Sequence, residues 1–206
     1  MATALAGWRV GCLTATMTVV DLAADVVTRP LRRVEYDALI AQGFLVGEPI
    51  ELVEGHLVIM SPQGDRHSLI IMWLNRRVVE AIPVEEGDVG VQVPLAANDL
   101  SEPEPDLYVV PPGTTSGPGL PTTASLVIEV ANSSRGYDLG VKAALYARVG
   151  IPDYWVVDIP EERVVVHREP TARGFASVTP VGRGVVAALR HPRLRLDVAD
   201  MLRPGT

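Results

Sequence analysis

The sequence predicts an α/β fold, and three observations predict it. The centre of the chain reads as strand, helix, strand. Hydrophobic residues are 48% of the chain but aromatic ones only 5%, so the core must rest on the Val, Leu, Ile and Ala that sheet interiors favour. The length, 206 residues, buries a core of ordinary size without disulfides or structural metals. Residues 30–206 are therefore expected to form a single domain. Residues 1–29 are read as an N-terminal extension, either disordered or arising from a start codon placed upstream of Met17.

The elements follow in order. Over 33–42, Val34, Leu39 and Ile40 share one helical face and Gly43 supplies a C-terminal stop. Ile50–Val53 and residues 56–60 flank Glu54-Gly55, a dipeptide close to the Asp-Gly type that closes two-residue β-hairpins. After Ser61-Pro62, residues 65–82 place Leu69, Met72, Trp73, Val79 and their neighbours at helical spacing, with Arg66, Arg76, Arg77 and Glu80 on the polar side. Strands are predicted over 91–95 and Leu107–Val110. The stretch PPGTTSGPGLPTT cannot hold a regular element and reads as a mobile loop. SLVIEVA, then GYDLGVKAALYARVG, then DYWVVDI form a βαβ unit. In its helix Val141, Leu145 and Val149 recur every four residues; Gly150 ends it and Pro152 prevents its continuation. Such a crossover joins parallel neighbouring strands. Beyond Pro160, RVVVHR, GFASV and LRLDVADML suggest further strands extending the sheet edge and a final turn.

Composition narrows the function classes. Cys12 is the only cysteine, so no intrachain disulfide exists and a cytoplasmic location is expected. The apolar stretch after Arg9 is broken by Gly11, Thr14 and Thr16 and is too short to span a bilayer, which argues against export and against a membrane partner. A net charge of -7 opposes tight non-specific binding to nucleic acid. Arg66, Arg76 and Arg77, and likewise Arg190, Arg193 and Arg195, lie close in sequence, either as a local basic groove or as solvated surface.

Glu129 interrupts an otherwise apolar strand. A strand covered on both faces offers a carboxylate almost no water, and burying it ionised and unpaired costs several kcal/mol. The group must bind a metal, meet a cation or sit protonated at the strand end. Asp106 closes a Pro-Glu-Pro-Asp run at the mouth of LYVV. Alone it is ordinary turn chemistry, but acids from two strands can converge on one hard cation such as Mg²⁺.

The stretches ELVEGHLVIMSPQGDRH, EPDLYVV and LVIEVANSSRGYDLGVKAALYARVGIPDYWVVD resemble the Uma-type endonucleases, a branch of the PD-(D/E)XK nuclease superfamily, over most of 34–158. The resemblance implies a restriction-endonuclease-like fold, a mixed central β-sheet flanked by helices, with a metal-dependent phosphodiester-cleaving site. By that resemblance Asp106 and Glu129 are metal ligands for Mg²⁺ or Mn²⁺, and the Val130 carbonyl is a third. Two positions after Glu129 stands Ala131, where the broader superfamily often has lysine; the Uma-type pattern moves the lysine to the next helix, which implies a catalytic role for Lys142. The residue-level alternative for Lys142, the only lysine of the chain, is an i,i+4 pair with Asp138. Glu51 and His67 match family positions that complete the metal shell or contact a phosphate; an exposed hairpin glutamate and a helix-terminal surface histidine are the alternatives. Tyr146 and Trp155 fit the pattern too, with a core role.

Three functions remain open at this level. The first is a DNA endonuclease using metal-assisted hydrolysis, expected to act as a homo-oligomer, a dimer above all, because duplex cleavage needs two sites. The second is a catalytically inactive DNA-binding or assembly module of the same fold, which the acidic charge and Ala131 favour. The third is hydrolysis of another phosphate ester.

Overall fold

The structure, a computed structural model, describes residues 27–117 and 119–204. Most of the expected N-terminal extension, Cys12 included, lies outside the described residues. Helix α1 spans Arg33–Ala41, and strands β1 (Ile50–Val53) and β2 (His56–Ile59) form a two-stranded antiparallel sheet. Their turn has the left-handed geometry the dipeptide predicts, with φ 52° at Glu54 and 77° at Gly55. A side chain at residue 55 would also collide with the backbone and ring of Pro30, so glycine serves both turn and contact.

Helix α2 runs over Asp65–Ala81, followed by β3 (Asp88–Val91), β4 (Leu107–Val110) and β5 (Leu126–Ala131). Next come α3 (Arg135–Tyr137), a π turn (Asp138–Lys142) and α4 (Ala143–Arg148), then β6 (Asp153–Asp158), β7 (Arg163–Thr171), β8 (Gly174–Val181), β9 (Val185–Ala187), β10 (Arg195–Asp197) and α5 (Val198–Leu202). The central sheet has the order β3-β4-β5-β6-β7-β8. Only β5 and β6 are parallel, as the crossover requires; every other pair is antiparallel.

Both faces of the sheet are covered. On one, Ile70, Leu74 and Val78 of α2 and Met201 and Leu202 of α5 meet Ile128, Val130, Trp155 and Val157. On the other, Ala143 and Tyr146 of α4 meet Tyr108, Val127, Ala131, Tyr154 and Val156. This double coverage explains the nearly continuous apolar runs of β5 and β6.

Several sequence expectations need correction. Leu69, Met72 and Val79 of α2 are exposed, and Ile70, Ile71, Leu74 and Val78 face the sheet instead. In α1 Val34 and Ile40 are exposed, and Tyr36 is the buried anchor. Val141 is likewise exposed while Leu145 is buried. Each of these helices carries apolar residues on more than one side, so periodicity alone could not choose the inner face. The strand expected over 91–95 ends at Val91, because Gln92 adopts a left-handed φ of 50° that breaks the ladder. Of the last strands, β7 and β8 extend the sheet, but β9 and β10 pair with each other. Their Val186 and Leu196 cover the apolar face beside α5 rather than lengthening the edge. The Pro- and Gly-rich loop contains one 3₁₀ turn, Thr114–Ser116.

Candidate active site

Alternation along the strands sets the position of the acids. Glu129 shares its face with Val127 and Ala131, both packed under α4, and Asp106 shares the face of Tyr108. Strand β4 begins its ladder at Leu107, paired with Ile128, so one residue earlier a side chain replaces the backbone partner. Asp106 Oδ2 accepts the Val130 N–H at 2.8 Å, and the Asp106 N–H approaches Glu129 Oε2 at 3.3 Å. The two carboxyl groups are adjacent, and Val130 lines the same cavity.

Lys142 comes from the helix that follows. At the π turn Ala143 donates to the carbonyl of Asp138, five residues back, and the Tyr154 hydroxyl donates to the same carbonyl at 2.9 Å. A single π turn inserts one extra residue into a helix and often marks a functional site. Here it turns both Asp138 and Lys142 inward, where both are buried. The Lys142 ammonium donates to Glu129 Oε1 at 2.9 Å and lies 3.2 Å from Glu51 Oε2. Tyr146 donates to the same Glu129 Oε1 at 3.0 Å. Asp138, the alternative i,i+4 partner, accepts instead from Ser134 at 2.6 Å.

Glu51 is only 2% exposed. Besides Lys142 it accepts the Glu104 N–H at 2.9 Å, which ties the hairpin to the loop that delivers Asp106. His67, in the first turn of α2, places Nε2 3.3 Å from Asp106 Oδ2. All five residues singled out as catalytic therefore surround one cavity of about 370 Å³. Sequence reasoning missed three others. Glu104 and Asp138 line the same cavity, and Gln92, held in its strained conformation, directs its amide to Asp106 Oδ1 at 3.4 Å. A second acid in the Pro-Glu-Pro-Asp run was a visible signal for Glu104; nothing local marks Gln92.

The electrostatics are lopsided. Five carboxyl groups (Glu51, Glu104, Asp106, Glu129 and Asp138) line the cavity against one ammonium and one imidazole. Burial pushes the Glu129 carboxyl up to about 8; Lys142 works against this, while Asp106, Asp138 and Glu51 add to it. Asp138 and Glu104 are also raised, again first by burial. Burial opposes the Lys142 charge, but Glu129, Glu51 and Asp138 outweigh it and raise its pKa. The cavity thus holds a persistent ammonium and more carboxylate than that ammonium can neutralise.

Oxygen donors with excess negative charge fit a hard divalent cation. Among the described residues no group of three or more His, Cys, Asp or Glu side chains is arranged to hold a metal ion by itself. Two carboxylates, a backbone carbonyl and several waters is the arrangement Mg²⁺ prefers, since it dehydrates reluctantly. The cavity has room for those waters, each needing about 30 Å³. Four of the six clustered arginines pair with acids: Arg66 with Glu162, Arg76 and Arg77 with Glu80, and Arg193 with Glu86. Among the described residues no helix is long and apolar enough to cross a membrane.

Comparison with known proteins agrees with this architecture. A family model described as "Uma2: Putative restriction endonuclease" matches residues 34–199. No curated protein matches the chain. Among solved structures, the chain is similar to one described as a "putative nuclease belonging to DUF820" from Anabaena variabilis ATCC 29413. The two share 19% identity over 74% of this chain and 89% of that chain, with a TM-score of 0.62. At that identity the likeness is one of fold, a mixed sheet flanked by helices.

Proposed function

The chain belongs to the Uma2 family, and from that premise we propose that it is a divalent-metal-dependent endonuclease hydrolysing DNA phosphodiester bonds. The observation that carries the reading is the meeting of Asp106, Glu129 and Lys142 in one cavity: Asp106 and Glu129 touch through the backbone of β4 and β5, and Lys142 bonds Glu129 at 2.9 Å. Asp106, Glu129 and the Val130 carbonyl would hold Mg²⁺ or Mn²⁺, which when bound supplies charge neutralisation at the phosphoryl group and a more acidic water.

The protein's own groups do the rest. Lys142, a compact cation fixed between Glu129 and Glu51, offsets the charge that grows on the phosphoryl oxygens or orients the attacking water. Tyr146 and Lys142 both occupy Glu129 Oε1 and would leave Oε2, whose one hydrogen-bond partner among the described residues is the Asp106 N–H, to bind the cation. His67 Nε2, 3.3 Å from Asp106 Oδ2, would steady that ligand. We read the active form as a cytoplasmic homodimer, since cutting both strands of a duplex needs two such cavities.

Purified protein incubated with plasmid and Mg²⁺ or Mn²⁺ tests the proposal. Nicking or linearisation is expected, with a loss of at least about 100-fold in Glu129→Ala; cleavage at an equal rate in that variant overturns it. The acid excess also suits a second reading, a DNA-binding or assembly module without turnover. Calorimetry separates the two, because that reading expects no heat of Mn²⁺ binding at millimolar metal.

A further inference from the structure

Beyond the cavity, at the end of β6, Asp158 is fully buried, and one of its oxygens, Oδ2, accepts from two guanidinium groups. Arg135 Nε donates to it at 2.9 Å and Arg163 Nε at 3.1 Å. Neither guanidinium has another hydrogen-bond partner among the described residues; Arg135 Nη2 comes within 4.0 Å of the exposed Glu161. Both side chains are about one-third exposed, at 38% and 30%. One carboxylate thus pins two guanidinium groups by the same atom and leaves their Nη groups without a hydrogen bond among the described residues, that of Arg135 facing only the exposed Glu161 at 4.0 Å.

The location links this fork to the cavity. Asp158 lies opposite Ala131 in the parallel pair and opposite Arg163 in the antiparallel pair. It shares its sheet face with Tyr154 and Val156, the face that also carries Glu129 and Ala131. Two residues along β5 and one strand across put Asp158 roughly 8 Å from Glu129 between backbones, using usual strand spacings. Ser133 and Ser134 line the cavity, and Arg135 follows them directly. In open α/β sheets ligands bind at this edge, outside the carboxyl ends of parallel strands.

A purely structural arginine looks different in this protein. Arg168, at the opposite end of β6, uses both Nε and Nη2 on Asp153, and Nη2 also bonds the Ala187 carbonyl. Planar guanidinium forks match phosphate oxygens in pairs. We propose that Arg135 and Arg163, preorganised on Asp158, form a docking site for a backbone phosphate of the nucleic-acid strand that enters the cavity, next to the scissile one. This rests on the nuclease reading above and adds to it the contact that lets an acidic protein hold a polyanion.

Fluorescence anisotropy with labelled oligonucleotides, single-stranded and duplex, tests this without divalent metal, so that nothing is cleaved. For Arg135→Gln/Arg163→Gln we expect binding about tenfold weaker at low salt, and a plot of log affinity against log salt shallower by about one. Arg135→Lys/Arg163→Lys keeps the charge without the fork and should lie between that variant and the wild type. Arg168→Gln should lower Tm and leave the salt slope unchanged. If the Gln pair binds within twofold of the wild type with the same slope while the wild type still cleaves plasmid, the fork is wrong and the nuclease reading stands. If the wild type binds neither oligonucleotide and cleaves nothing, both fall together.

Discussion

The two ends of strand β6 handle buried charge in opposite ways. At its start, Asp153 has four donors: Trp155 Nε1 at 2.8 Å and Arg168 Nε at 2.9 Å on Oδ1, and the Leu189 N–H at 2.7 Å and Arg168 Nη2 at 3.4 Å on Oδ2. At its finish, Asp158 loads both arginines on one oxygen, and its Oδ1 is buried with no hydrogen-bond partner among the described residues. On the neighbouring strand Glu129 lies in a cavity with more carboxylate than cation. Satisfied polar networks staple a fold, whereas half-satisfied ones cost stability and persist where a ligand completes them. On the proposed function, one end of the sheet serves cohesion and the other binding.

The largest test of this contrast is Asp153→Ala. It removes the buried acceptor shared by the Trp155 indole N–H, the Leu189 N–H and the Arg168 guanidinium, which is about one-third exposed and keeps its bond to the Ala187 carbonyl, so with several donors unpaired at once a loss of about 3–5 kcal/mol in urea unfolding is expected. Cleavage per folded molecule should be unchanged. A loss of cleavage at full stability would put function at both ends and break the comparison.

The second test goes the other way, towards greater stability. Glu102, buried in the loop leading to Glu104 and Asp106, is pushed up to about 7, first by burial and then by Asp37, with Arg33 working against this and Glu104 adding to it. A carboxyl whose folded pKa is raised stabilises the fold below its unfolded value of 4.5, and loses that contribution as pH climbs towards about 7. Glu102→Gln should therefore gain about 1–3 kcal/mol at pH 8 and nothing at pH 4, read by thermal or urea unfolding across that range. An equal effect at both pH values would mean that packing, not charge, governs the site.

The smallest effect sharpens the picture inside the cavity. Tyr146→Phe keeps the fully buried ring and removes only the hydroxyl on Glu129 Oε1. Groups that orient a metal ligand typically tune affinity by tenfold or more, so Mn²⁺ binding by calorimetry should weaken about tenfold with Tm little changed. Unaltered affinity would reduce Tyr146 to a core residue.

Much of this architecture is legible from residues alone. The hairpin at Glu54-Gly55, the long α2 and the βαβ unit follow from turn chemistry, breakers and apolar runs, all of which act within a few residues of chain. The same local logic marks Glu129 as needing a partner, because a charge inside LVIEVA has no water nearby. It does not identify that partner. Lys142 is 13 residues away in the chain, and without the family resemblance its obvious neighbour was Asp138.

By itself the sequence determined the order of elements, the parallel pair at the centre and the positions of charge within apolar segments. Only the tertiary structure decided which side of α1 and α2 faces inward, where β3 ends, and that β9 and β10 cover a face instead of an edge. It alone placed Glu104, Gln92 and the Asp158 fork beside the same strand ends. The physical reason is range. Backbone preferences and turn geometry are settled between near neighbours, but burial and charge compensation depend on groups that meet only when the sheet closes against its helices.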